Sequence, residues 1–223
     1  MVKDLVVLIT GASSGIGRET AYRFAGEGAR IILTYFRGAA RGEAAERRCV
    51  RLGARDTLLL HLDVMDEKSI AGAVRNVRKK FGAVDFLINN AGVGVFAPFE
   101  KQTVRDVERQ IRTNLGGLIR MTFSFLPFVK KGIVNIASAA GEAPYKDMAV
   151  YCGTKFGVRG FTQSLALEYP RLRICCVNPD MTATRLSGYE GRPPAEVAEV
   201  ICRAVSGKAR CSRGGDLDVW KII

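Results

Sequence analysis

The sequence of 223 residues is poor in the groups that build metal centres, disulfide frameworks and membrane spans. It has one histidine, His61, and six cysteines without a Cys-x-x-Cys spacing, which leaves little from which to assemble a zinc site. Two of the cysteines, Cys175 and Cys176, are adjacent, and no secretory leader accompanies them; they read as small apolar thiols of a reducing compartment. No apolar run approaches the roughly 18 residues of a membrane span. Met1-Val2-Lys3-Asp4 leads directly into a strand-like run instead of a signal peptide, so a cytoplasmic protein is expected. Carboxylates are also scarce: 22 acidic side chains face 34 lysines and arginines, for a formal charge of +12. Such an excess attracts nucleic acid or other polyanions. Here Arg47, Arg48, Arg51 and Arg55 crowd one expected helix and its exit, and Arg75, Arg78, Lys79 and Lys80 another, with no aromatic residues interleaved to stack on bases. Nucleic acid is therefore not the expected partner, and these side chains read as solvated helix faces whose summed field draws in a small anion.

What is present is an alternation of short β-branched runs with amphipathic segments. Leu5-Val6-Val7-Leu8-Ile9 has the continuous apolar character of a parallel strand covered on both faces, and a helix follows to about Gly26. Arg30 to Thr34 makes a second strand, Arg41 to Leu52 a helix, and Thr57 to Leu60 a third strand ending near Asp63. Asp66 is placed to cap a helix reaching Phe81, and Val84 to Ile88 is a fourth strand. Thr103 with Asp106 resembles a capping box opening a long helix through Asn114 to about Phe125. Ile133 to Ala137 is a fifth strand, and a helix carrying Tyr151 runs to Glu168, stopped by Pro170. Leu172 to Val177 is a sixth strand, Pro193-Pro194 opens a last helix, and Leu217 to Trp220 reads as a closing strand. This pattern predicts an α/β fold, a Rossmann-type doubly wound parallel sheet, as a single domain over residues 1–223 with a short loop around 180–192. Ligands in such sheets gather at the carboxyl ends of the strands. Thr10, Asp63, Asn89 to Gly92, Ser138 and Pro179 all fall there.

Two motifs bear chemistry. Gly11, Gly15 and Gly17 occupy a strand-to-helix turn, where missing side chains let backbone amides and the positive helix end approach a pyrophosphate. Their spacing, Gly-x-x-x-Gly-x-Gly, differs from the general dinucleotide fingerprint. Tyr151 and Lys155, four apart on a helix, rise from one face. An ammonium beside a phenol lowers the phenol pKa from about 10 and readies it to exchange a proton.

Taken together, Thr10 to Gly17, Asn89-Asn90-Ala91-Gly92, Asn114, Ser138, Tyr151 with Lys155, and Asn178-Pro179 resemble the short-chain dehydrogenase/reductase family, in order and over essentially the whole chain. The resemblance implies hydride transfer between a nicotinamide cofactor and a carbonyl or alcohol substrate, with Asn114, Ser138, Tyr151 and Lys155 as the catalytic set. Tyr151 would be general acid in reduction and base in oxidation. Lys155 would hold the ribose and depress the Tyr151 pKa, Ser138 would bind the substrate oxygen, and Asn114 would hold a relay water. The cofactor would meet Gly11, Ser13, Ser14, Gly15, Ile16 and Gly17 at its pyrophosphate, Asp63 and Val64 at the adenine, and Asn90, Ala91 and Gly92 at the adenosine ribose. Pro179, Thr182 and Thr184 would lie on the nicotinamide side, with Tyr151 and Lys155. Thr34-Tyr35-Phe36-Arg37 lacks the acidic residue with which NAD-dependent relatives bind the 2′-hydroxyl and offers a guanidinium one residue beyond the family's usual basic position, so NADP is expected over NAD. Ser14, where many NADP-preferring members carry a basic residue, does not add to that expectation. A homo-oligomer, dimer or tetramer, is expected through the helices containing Asn114 and Tyr151.

Three features depart from the family pattern. Asp180 follows Pro179 where glycine is common, and either points outward or reshapes the site. Only Arg185 to Arg192 separates Thr184 from Pro193, where many relatives have a longer lid, and a long substrate-covering extension beyond Trp220 is not expected. Val93, Phe96, Ala140, Tyr145, Met181 and Tyr189 are expected to line an open, mostly apolar substrate pocket. Asp180 and the reduced lid also motivate an alternative, a non-catalytic protein that senses a dinucleotide or binds a polyanion on the same fold.

Overall fold

The computed structural model describes residues 2–209 and 214–223. Its strands are β1 (Val6–Ile9), β2 (Arg30–Tyr35), β3 (Asp56–His61), β4 (Val84–Asn89), β5 (Val129–Ile136), β6 (Arg173–Asn178) and β7 (Asp216–Asp218). They form one sheet in the order β3-β2-β1-β4-β5-β6-β7, and every pairing is parallel. The chain winds outward from β1 to β3, then crosses to β4 on the other side of β1. That reversal opens a crevice above the carboxyl ends of β1 and β4, the place where doubly wound sheets bind ligands.

Alternation of side chains along each strand feeds two cores. Val7, Ile9, Ile31 and Leu33 point to the face covered by α1 (Gly15–Ala25), α2 (Ala39–Leu52) and α7 (Pro194–Ser206), against Phe24, Cys49, Val197 and Ile201. Leu8, Ile32, Leu87 and Ile133 point to the other, against Ile70 and Val77 of α3 (Glu67–Phe81) and Met121 and Phe125 of α5 (Leu118–Phe125). Both faces being covered accounts for the nearly unbroken apolar runs of β1 and β4.

Two helix starts, those of α3 and α4, follow their capping residues. Asp66 accepts the Lys68 amide at 3.0 Å, and Thr103 and Asp106 form the reciprocal box that opens α4 (Val104–Gln110). The expected long helix to Phe125 is continuous but not uniform: Ile111–Gly117 is a π-helical stretch between α4 and α5. Val64 presses on Gly117 so closely that a Cβ there would stand 2.6 Å from its Cγ2. α6 (Ala149–Glu168) runs from two residues before Tyr151 to Glu168, as the sequence predicts. Two boundaries are corrected. β5 begins at Val129, four residues earlier than expected, because Val129 pairs with Val84 across a register shift. The closing strand is Asp216–Asp218, and Val219 to Trp220 belongs instead to the terminal helix α8 (Val219–Ile222). Among the described residues no helix is long and apolar enough to cross a membrane.

One buried polar chain crosses the second core. Asn89 donates to Thr122 at 3.0 Å and to Asn135 at 2.9 Å, and Asn135 donates to Thr162 at 2.9 Å, which ties β4 and β5 to α5 and α6. Where β5 meets β6 the fit is tighter still. A Cβ on Gly132 would lie 2.2 Å from the Arg173 carbonyl oxygen and 2.7 Å from the Phe86 ring. Because both neighbours are fixed in the sheet, Gly132→Ala is expected to cost about 1–3 kcal/mol through overpacking. Urea unfolding followed by circular dichroism checks this, and an unchanged midpoint would refute it.

Candidate active site

The crevice is built on Thr10, the first residue beyond β1. Its hydroxyl accepts the amides of Asn90 and Ala91, both at 2.9 Å, and so locks the end of β4 against the end of β1. Asn90 returns the contact, donating to the Thr10 carbonyl at 2.8 Å and the Gly11 carbonyl at 3.3 Å. Gly11 (φ 69°) and Gly15 (φ 54°) take the left-handed backbone that turns the chain into α1. Gly17 is required for space: a Cβ would stand 2.5 Å from the Asn90 amide nitrogen and 2.6 Å from the Gly11 carbonyl oxygen. Ser14 precedes α1 in extended backbone, and its exposed side chain makes no capping bond. The first amides of α1 are thus left without a side-chain acceptor, beside the half-buried Ser13. Ile16 packs down onto the core.

The π-helical stretch brings Asn114 inside, where it is 1% exposed. Its side-chain oxygen accepts the Val93 amide at 2.8 Å, while its nitrogen donates to the Val93 carbonyl at 2.8 Å and to Thr154 at 3.1 Å. Thr154 in turn donates to the Tyr151 carbonyl at 2.8 Å. One asparagine therefore joins the loop after β4, where Gly92 sits, to the first turns of α6.

Tyr151, Lys155 and Ser138 converge at the ends of β5 and β6. Tyr151 is 9% exposed and Lys155 is 5% exposed. Burial pushes the phenol pKa up to about 12, against the lowering effect of a hydrogen bond with the Ser138 hydroxyl. Ser138 also accepts the Ala140 amide at 3.1 Å, which fixes it at the head of a short turn. Burial drives the Lys155 ammonium the other way, down to about 8. Its Nζ donates to the Ile136 carbonyl at 2.9 Å and lies 5.5 Å from the centre of the Tyr151 ring. The expected depression of the phenol by Lys155 is not found: with the amine lowered to about 8 by burial and the phenol raised to about 12, Lys155 has lost its charge before Tyr151 ionises. The turn after Ser138 rests directly on α6, since a Cβ at Gly141 would stand 2.8 Å from the Lys155 carbonyl oxygen. Arg159 secures it by donating to the Gly141 carbonyl at 2.5 Å while forking onto Asp216 of β7 at 3.0 and 2.7 Å.

At the far end of the crevice Arg37 is exposed, its guanidinium 5.5 Å from the Phe36 ring centre. The neighbouring Arg41, which sequence reasoning missed, reaches back to the Arg37 carbonyl at 3.5 Å. His61 meets the Phe36 carbonyl at 3.1 Å and packs edge-on to Tyr35, so the sole histidine braces this turn. Asp63 accepts the Met65 amide at 2.8 Å, and Val64 is buried beside it.

The segment beyond β6 closes the remaining side. Buried Pro179 accepts the Ala139 amide at 2.8 Å. Thr182 is buried, and the Thr184 methyl stands over Gly15, 3.2 Å from where a Cβ would be. Asp180 pairs with Arg192, another residue without a signal in the sequence. Phe96 meets the Tyr151 ring edge-on at 5.5 Å, and Ala140 packs with Tyr151. Val93 is half-buried, whereas Phe96, Tyr145, Met181 and Tyr189 are exposed.

This architecture has known counterparts. Residues 5–193 match the model of the short chain dehydrogenase family. An uncharacterized oxidoreductase of Staphylococcus saprophyticus is 33% identical over 84% of this chain and 78% of its own. An NADP-dependent 3-hydroxy acid dehydrogenase of Schizosaccharomyces pombe is 34% identical over 90% of this chain and 86% of its own. The crystal structure of a short chain dehydrogenase from Shigella flexneri complexed with NADP superposes with a TM-score of 0.91 at 25% identity, covering 98% of both chains. With that match extending from β1 to the start of α7, the chain belongs to the short-chain dehydrogenase family of oxidoreductases.

Proposed function

We propose that the protein interconverts a carbonyl compound and its alcohol with NADP(H), using Tyr151 as general acid and base. The observation that carries this reading is the convergence of Tyr151, Ser138 and Lys155 beside a glycine turn whose helix start has no side-chain cap. The nicotinamide ring supplies or accepts the hydride when the cofactor is bound.

The chain's own groups suit that cofactor. Amides between Gly11 and Gly17 and the side chains of Ser13 and Ser14 would receive the pyrophosphate, because the start of α1 has no side-chain cap to occupy its first amides. Ile16 would pack beneath it. Asp63 and Val64 would border the adenine, and Asn90, Ala91 and Gly92 the adenosine ribose. Arg37, joined by Arg41, offers positive charge to a 2′-phosphate and no carboxylate intervenes in Thr34-Tyr35-Phe36-Arg37, which supports NADP. The NADP dependence of the Schizosaccharomyces pombe relative and the bound NADP of the Shigella structure support the same choice. Lys155 would hold the nicotinamide ribose hydroxyls, with Pro179, Thr182 and Thr184 against the nicotinamide side.

In reduction the Ser138 hydroxyl would hold the substrate oxygen while Tyr151 delivers a proton to it; in oxidation Tyr151 would take that proton back. A phenol lifted toward 12 is protonated at neutral pH, so the acid role needs no prior titration. Asn114 has three side-chain hydrogen bonds within the protein, so a relay water there would meet its main-chain carbonyl. Asp180, which motivated a non-catalytic alternative, is engaged by Arg192.

A homo-oligomer is also proposed. Ile119 and Phe123 of α5, and Phe156 and Leu167 of α6, are exposed, and on α6 Gly153 and Gly160 face open space. Such a smooth apolar face on adjacent helices suits a second copy of this chain.

NADPH is expected to bind at least tenfold more tightly than NADH by fluorescence titration, followed by turnover on a panel of ketones, aldehydes and alcohols. Tyr151→Phe should lose about 100-fold or more in turnover with NADPH affinity retained; undiminished turnover would remove Tyr151 from its role. Lys155→Met tests the buried cation. Its pKa is depressed from 10.5 to about 8, so at this site the unfolded chain binds more protons between those values, and the Lys155 contribution to wild-type stability, read as wild type minus variant, should rise with pH across that window. The methionine variant should lack that rise and be more stable at pH 7 by about 1–3 kcal/mol; urea midpoints from pH 7 to 10 decide it. Phe123→Glu should shift the sedimentation coefficient toward the monomer, and an unaltered value would exclude this face as the interface.

A further inference from the structure

Residues 181–191 form a strap whose two ends are drawn together at a neck. There the Arg192 amide donates to the Met181 carbonyl at 2.9 Å and the Ala183 amide to the Arg192 carbonyl at 2.8 Å. Gly191 (φ 104°) is obligatory in that neck, since a Cβ would fall 2.1 Å from the Met181 carbonyl oxygen. Outside the neck the Arg192 guanidinium grips both oxygens of Asp180, Nε on one and a terminal nitrogen on the other at 2.9 Å. Its remaining nitrogen meets Glu196 in the first turn of α7 at 2.8 Å. The Arg192 side chain is only 16% exposed, so this fork is less screened than a surface pair.

Within the strap the polar groups satisfy one another. Ser187 donates to the Thr182 carbonyl at 2.6 Å and accepts the Thr184 amide at 3.2 Å, and Thr182 donates to the Asp180 carbonyl at 2.9 Å. The strap reaches the crevice at two points: Thr184 over Gly15, and the Leu186 methyl 3.1 Å from where a Cβ on Gly94 would stand. A segment of this length without the fork would have many conformers to lose on binding a ligand beneath it.

We infer that Asp180 and Arg192 are positioning residues, a latch that holds the strap preformed over the glycine turn and so presents Thr182 and Thr184 to the dinucleotide without prior ordering of the loop. The cofactor half of this inference rests on the function proposed above; the loop half does not. Asp180 and the shortness of the segment are then one feature: a short strap fastened at its base.

The test uses the full chain. Asp180→Asn, Arg192→Met and their double variant are digested briefly with chymotrypsin without nucleotide, and cleavage after Tyr189 and Leu186 is mapped by mass spectrometry. Each single variant should be cut in the strap at least tenfold faster than wild type, the double variant no faster than the singles, and Asp180→Glu should restore most of the resistance. Fluorescence titration should show NADPH binding weakened five- to tenfold in Asp180→Asn and Arg192→Met, with kcat at saturating NADPH within twofold of wild type. Unchanged strap cleavage, or cleavage accelerated equally across the whole chain, would overturn the latch. Faster strap cleavage with unchanged NADPH affinity would overturn its role toward the cofactor. Wild-type protein that binds neither NADPH nor NADH would overturn the proposed function, and the cleavage pattern would still decide the latch.

Discussion

A cation held out of water organises this crevice. Lys155 is almost wholly enclosed, and among the described residues its hydrogen bond goes to a backbone carbonyl at the end of β5 instead of to a carboxylate. Uncompensated burial of an ammonium is unfavourable, as its lowered pKa records. The surroundings hold it nevertheless, because α6 is fixed on both sides: Thr154 and Asn114 bind its first turns to the loop after β4, and Arg159 forks from its middle onto Asp216.

The division of labour between the two ends of the crevice follows from the same sheet. At the β1 and β4 end the groups on offer are backbone amides, set by glycines that cannot carry side chains and by Thr10 and Asn90, which fasten one strand end to the next. At the β5 and β6 end they are side chains with displaced pKa values. Neutral dipoles that bind a charged group without titrating sit beside a phenol and an amine whose protons are adjustable.

Much of this was legible in the sequence because it depends on local rules. The strands announced themselves by continuous apolar runs, Asp66 and the Thr103-Asp106 pair by capping chemistry, and Gly11, Gly15 and Gly17 by their place between a strand and a helix. Tyr151 and Lys155 could be put on one face from their spacing alone. What spacing could not tell was where the ammonium would point, since that depends on the Ile136 carbonyl arriving from another strand. The partnership of Asp180 with Arg192, the role of Arg41, and the turn that α8 makes after Asp218 are likewise non-local, set by contacts across gaps that carry no periodic signal. The π-helical stretch at Asn114 carried no local signal either, and Val64, which packs on Gly117 at its end, lies more than a whole helix away in the chain.

The seat of Gly141 on the backbone of Lys155 has a wider meaning. Because the Ser138 turn lies on the very helix that bears Tyr151 and Lys155, these three groups travel as one rigid block, whereas Met181, Leu186 and Tyr189 hang from a separate fastening. On the function proposed above, the strap side of the crevice could thus be rebuilt during divergence without disturbing the packing that joins Ser138 to α6. One frame can in this way accept many different molecules while keeping a single chemistry.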